Sequence, residues 1–121
     1  MSESTTIGSP RKGSFTATVT LSAYQLVKLN TDRSVSVATF ASGETRVGFV
    51  DRAVNQGDPA PVALLNGGGS AFGQASASVT TGDALYAATT GKVSATVTGE
   101  SVGVALEDGA ADDVIEILLP H

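Results

Sequence analysis

The chain has 121 residues, with 12 acidic and 7 basic side chains, a formal charge of −5, and neither Cys nor Trp. That length suits one domain able to bury its own core. The missing cysteines exclude a disulfide framework and a thiolate metal site. The acidic balance argues against a partner gripped by its phosphates, so no direct nucleic-acid contact is expected.

Residues 1–14 carry no hydrophobic period and are rich in Ser, Thr, Gly and Pro, so they read as a flexible arm ahead of a β domain over 15–121. Two readings of the arm stand side by side. It is either a frayed end or a segment that orders on a partner by pairing with a sheet edge, with Arg11, Lys12, Ser14 and Phe15 as its contact residues. Its polar start has no apolar run behind it and does not read as a signal peptide. No stretch of the chain is long and apolar enough to span a bilayer as a helix.

From Phe15 the sequence alternates: Phe15, Ala17, Val19 and Leu21 on one face, Thr16, Thr18, Thr20 and Ser22 on the other. That period of two is a half-buried strand. Tyr24 to Leu29 and Ser34 to Phe40 read as further strands, and Arg46 to Val50 as a short one after the Ser42-Gly43-Glu44 turn. Pro61 should confine the start of the next strand, Val62 to Leu65, to an edge or a loop. Asn66 to Ser70 reads as a loop, with a hinge between two halves as the alternative; the lysine and following helix of a phosphate-binding glycine loop are missing. Strands are then expected at Ala75–Val79, Ala84–Ala87, Lys92–Val97, Ser101–Leu106 and Asp113–Leu119. Short strands with a turn signal every eight to twelve residues or so give an all-β fold, a small barrel or sandwich of antiparallel strands.

One phrase occurs twice. Gly43-Glu44-Thr45-Arg46-Val47-Gly48 returns as Gly99-Glu100-Ser101-Val102-Gly103, one residue shorter, and each copy leads through an acidic turn to an apolar strand. A duplicated unit would produce this echo. So would chance, in a chain so rich in Gly, Ala, Ser, Thr and Val.

Chemistry-bearing constellations are scarce. The single histidine is His121, at the chain end, where a catalytic base would be poorly held. Glu107, Asp108, Asp112 and Asp113 lack the spacing of an EF-hand and are explained as a solvated acidic turn. Sugar-binding sites favour aromatic platforms, and only Tyr24 and Tyr86 are offered. No enzyme activity, cofactor or metal is expected. Phe15, Phe40, Phe49 and Phe72 read as core anchors; Phe72, in a Gly-rich stretch, is the one whose burial the pattern does not assign, and it plugs either its own barrel or a neighbour's surface.

Gly82-Asp83-Ala84-Leu85-Tyr86, Thr90-Gly91-Lys92-Val93, Val102-Gly103-Val104-Ala105-Leu106 and Asp113 to Leu119 follow one another at close intervals. With the Val47-Gly48-Phe49-Val50 strand, this ordered series over residues 40–119 resembles the capsid cement, or head decoration, proteins of tailed bacteriophages. The resemblance implies a structural virion protein on the outer surface of an icosahedral head, assembled in the host cytoplasm. It implies a homotrimer that bridges major capsid proteins and stabilises the DNA-filled shell, with no membrane partner. The alternative from the residues is a carbohydrate- or host-surface-binding β module of a phage fibre or adhesin.

Overall fold

A computed structural model describes residues 12–41 and 43–120. The chain forms ten short strands: β1 (Lys12–Ala17), β2 (Leu26–Leu29), β3 (Ser34–Val37), β4 (Arg46–Val50), β5 (Pro59–Leu64), β6 (Ser70–Gln74), β7 (Ala84–Ala87), β8 (Val93–Ser94), β9 (Gly103–Ala105) and β10 (Val114–Leu118). Two single turns of 3₁₀ helix, Leu65–Gly67 and Thr89–Gly91, are the helical segments among the described residues. The protein is all-β.

The first five strands close a barrel in the order β1-β3-β2-β4-β5, sealed by β5 against β1. The last five form a curled sheet in the order β6-β10-β9-β7-β8. Numbered from its own start, the second sheet follows the same circuit as the first. The parallel β1–β3 pair, with Ala17 opposite Val35, is matched by a single parallel bridge between Ala75 and Val93. Leu21 exchanges backbone hydrogen bonds with Val54, and Val79 does so with Gly109. Tyr24 N–H donates to Val50, and Gly82 N–H to Ala105. Equivalent residues lie 58 apart through the first three strands (75 − 17, 93 − 35) and 55 apart in the last two (105 − 50, 109 − 54). The doubled phrase is therefore the visible part of a repeat that runs through the whole fold.

Each half has its own core. Ala17, Leu21, Val27, Val35, Val50, Ala60 and Val62 fill the first, and their counterparts Ala75, Val79, Leu85, Val93, Ala105, Ile115 and Ile117 fill the second. One cross-strand pair is inverted in size. Phe15 stands opposite Ala60 in the first barrel; Gly73 stands opposite Ile115 in the second. The room left at Gly73 is entered by Phe49 from the first half. A Cβ at Gly73 would lie 2.8 Å from the Phe49 ring and 2.7 Å from Ile117 Cδ1. Leu26, Phe49 and Ala63, cross-strand neighbours on the outside of β2, β4 and β5, are buried against the second half with Ala38. Burial of the Phe49 ring alone contributes on the order of 2–3 kcal/mol. Gly91 N–H donates to Ala38 O, and Gln25 Nε2 to Thr90 O, so the joint is also hydrogen-bonded.

Several sequence expectations shift. β1 starts at Lys12, inside the stretch expected to be arm, and residues 1–11 lie outside the described residues. Expected all-antiparallel pairing is broken by the parallel β1–β3 pair. Pro61 sits within a strand paired on both sides, not at an edge; its carbonyl accepts from Asp51 N–H, just past the end of β4, so its missing N–H costs a single bond at the end of that ladder. The strand expected at Ala75–Val79 lies earlier, over Ser70–Gln74, where the approach of Phe49 demands a glycine at position 73. Asn66 to Gly69 is a loop, as expected, and it is the link between the halves.

The glycines of the repeated Val-Gly strands are fixed by close approach. A Cβ on Gly48 would overlap the Ala63 carbonyl, and one on Gly103 would meet Leu118 O at 2.8 Å. Gly48→Ala is expected to cost roughly 3 kcal/mol or more in urea denaturation. Gly82→Ala, where φ is +92° and nothing lies within 4 Å, should cost only about 1–2 kcal/mol. Equal costs would show that the strand approach is not what fixes Gly48. Phe49→Ala is expected to lose about 3–5 kcal/mol by opening a cavity at the joint, measured in the same way.

Candidate functional site

Of the sequence-derived contact residues, Phe15 and Phe72 lie in different halves of the fold. Arg11 lies outside the described residues. Lys12 and Ser14 occupy β1 opposite Ala63 and Pro61. Phe15 points into the first barrel and is 9% exposed, with the Arg33 guanidinium 4.8 Å from its ring centre, so it offers a partner little surface. Phe72 plugs no barrel. It lies on the outer face of β6, 47% exposed, with its ring edge-on to Tyr24 at 6.0 Å between centres. Phe40 is exposed too, so of the four phenylalanines read as core anchors only Phe15 and Phe49 are core.

Phe72 is part of a face. On three adjacent strands the register sets Phe72 beside Glu116 and Leu118 beside Val104, while Leu106 N–H donates to Glu116 O. With Val114 this aligns Phe72, Val114 and Leu118, each exposed, and exposed Leu106 at the adjoining position. Half of the exposed large apolar side chains among the described residues thus share one outer surface of the second half. Its centre is polar: Glu116 Oε2 accepts from Ser70 Oγ at 2.6 Å, and Glu107 accepts from Glu116 N–H at 2.8 Å. Four exposed large apolar side chains on one outer face, set around a hydrogen-bonded carboxylate, make this surface a candidate protein interface.

The sequence held a signal for this surface that alternation alone hid. Val114 to Leu119 is apolar at both parities except for Glu116. Strands buried on both faces read as continuous apolar runs, and among the described residues only the Ile115, Ile117 and Leu119 side is covered.

The carboxylates act locally. Asp108 Oδ1 accepts from the Thr81 amide and hydroxyl, which hold its pKa below the ordinary carboxylate value. Asp113 accepts from Ala110 N–H, and Asp112 pairs with Lys92 Nζ at 2.6 Å. Among the described residues no group of three Asp, Glu, His or Cys side chains is placed to hold a metal. Tyr24 is turned against Phe72 and is half-buried, as is Tyr86.

Glu44 clamps the loop between β3 and β4. It accepts from the Thr39 amide at 2.8 Å and from the Thr39 hydroxyl, with Lys28 Nζ and Arg46 Nη2 each 3.6 Å away. Arg46 in turn donates to the Thr39 and Ala41 carbonyls.

No protein-family model matches this sequence, and no curated protein matches it. Among solved structures, the chain is similar to the N base of head fibre gp8.5 of bacteriophage phi29. The TM-score is 0.65 with 19% identity, over 90% of this chain and 92% of that one. The two share a fold across nearly their whole lengths.

Burial pushes the Glu44 carboxyl up, but the Thr39 hydroxyl and amide and the charges of Lys28 and Arg46 outweigh it and hold the group below its ordinary 4.5. A depressed folded pKa stabilises fully above the unfolded value and is lost as pH falls through the folded one. The stability gap between the wild type and Glu44→Gln should therefore be widest near neutrality and close below pH 4.5. Denaturation across a pH series checks this; a gap independent of pH would show that charge contributes nothing to the clamp.

Proposed function

We propose that the protein is a structural component of a phage virion, a decoration or cement protein that binds the outer surface of the head without catalysing a reaction. The observation that carries the proposal is the fold shared along nearly the whole chain with a protein described as the base of a phage head fibre. The ordered motif series over residues 40–119 supports the same reading by its resemblance to head decoration proteins. The partner is the major capsid protein, and the working form is a homotrimer bridging neighbouring capsid subunits. Such a clamp needs no deep pocket. Several modest contacts made at once dissociate only if all let go together, so multivalency supplies the strength. The tightly filled halves and the hydrogen-bonded joint give a rigid body through which load can pass.

Purified protein mixed with expanded, undecorated heads of its own phage should co-sediment saturably. Absence of binding at saturating protein would overturn the proposal. Removing residues 1–11 is expected to leave the melting temperature nearly unchanged and to weaken head binding. Removing residues 1–14 should also lower the melting temperature, because it deletes half of β1, the strand that closes the first barrel.

A further inference from the structure

The outer row Leu26–Phe49–Ala63 on β2, β4 and β5 has an equivalent on the second half. The register of β7, β9 and β10 sets Ala84, Val104 and Leu118 side by side in the same way. In the first half this row is buried, at 0%, 1% and 4% exposure, because the second half covers it. In the second half nothing among the described residues covers it: Ala84 is exposed, Val104 half-exposed and Leu118 43% exposed. Phe72, Val114 and Leu106 extend the row into the apolar face described above.

We propose that this face is a self-association surface, and that its occupant is the first barrel of a second copy of the chain. Two observations select that occupant. The equivalent row is already covered, within the chain, by a half with the same strand circuit, so the second row repeats a surface of a kind this fold is seen to bury against its own type. Charge then selects which half. Residues 70–120 carry seven acidic side chains and one basic, a net of −6, whereas residues 12–64 carry five basic and four acidic, a net of +1. A two-fold arrangement of face on face would oppose Glu116 and Glu107 to their own copies. A head-to-tail arrangement sets them against the half with most of the cations. The contact differs in detail from the internal joint. There Phe49 enters at Gly73, whereas the first barrel holds Phe15 at the equivalent position and is closed. Leu118 and Val104 therefore lie on their partner rather than penetrate it. This inference rests on the proposed assembly only in its use; it is tested without capsid.

Sedimentation velocity of the full chain over a concentration series is expected to show reversible association with a Kd below about 100 µM. Leu118→Glu and Phe72→Glu, both at exposed positions, should each weaken it by about tenfold or more with little change in melting temperature. Glu116→Gln, which keeps an acceptor for Ser70, separates the two geometries. Head-to-tail docking predicts weaker association, and face-on-face docking predicts stronger. A wild type that stays monomeric, variants that associate as the wild type does, or strengthening by Glu116→Gln would each overturn the proposal. A monomer that binds heads, and loses that binding with Leu118→Glu, would give the face to the capsid and leave the virion role standing.

Discussion

The second half of this protein has a hole where the first has a phenylalanine. Gly73 stands where Phe15 does, and Phe49 comes from outside to occupy the space. This one insertion ties the architecture together. It requires small residues along β6, which is why Ala71, Gly73 and Ala75 alternate inward there. It leaves the second sheet curled, with β6 meeting β8 at a single bridge, while the first barrel is closed. It also merges the joint with the second core, so that Leu26, Ala38, Phe49 and Ala63 belong to the same cluster as Ile115 and Ile117. Without that filling, a chain with no Trp and few aromatics would have little to hold its halves together.

The repeat is preserved in backbone geometry more faithfully than in side chains. The Val-Gly strands β4 and β9 keep glycine because the neighbouring strand passes too close for a Cβ. Core volume, by contrast, is shared out between the halves: Phe15 with Ala60 is exchanged for Gly73 with Ile115, and Phe49 from the first half fills the shortfall. Interiors packed to crystal density tolerate such exchanges when total volume is kept. One half can thus become a plug and the other a socket while the strand circuit stays the same.

Much of the fold was legible in the sequence, and the failures have physical causes. The all-β class and strands β4, β7 and β10 followed from alternation and turn residues. The echo of Gly48 in Gly103 was the correct trace of the repeat, blurred because the offset between equivalent residues falls from 58 to 55 between β3 and β4. β6 was missed because glycine and serine around Phe72 signal a loop locally, and only the distant Phe49 makes a small-residue strand the better solution. Alternation reads Phe15 as a core anchor, and it is one; that β5 pairs alongside it is not visible locally. The outer apolar face was partly visible in the two-sided apolarity of Val114–Leu119, but the alignment of that strand with Phe72 and Leu106 is a property of register.

The ring closure of the first barrel carries a consequence for how the chain is made. β1 cannot find β5 until residue 63 has been synthesised, so the earliest complete unit spans some fifty residues and depends on contacts distant in sequence, the kind that form slowly. Once closed, that unit displays Leu26, Phe49 and Ala63 to solvent until the remaining strands arrive. During that interval the nascent chain carries a sticky surface whose intended cover is still unmade. A pause once β5 and the Gly67-Gly68-Gly69 link have emerged from the ribosome would hold the molecule at its most aggregation-prone stage.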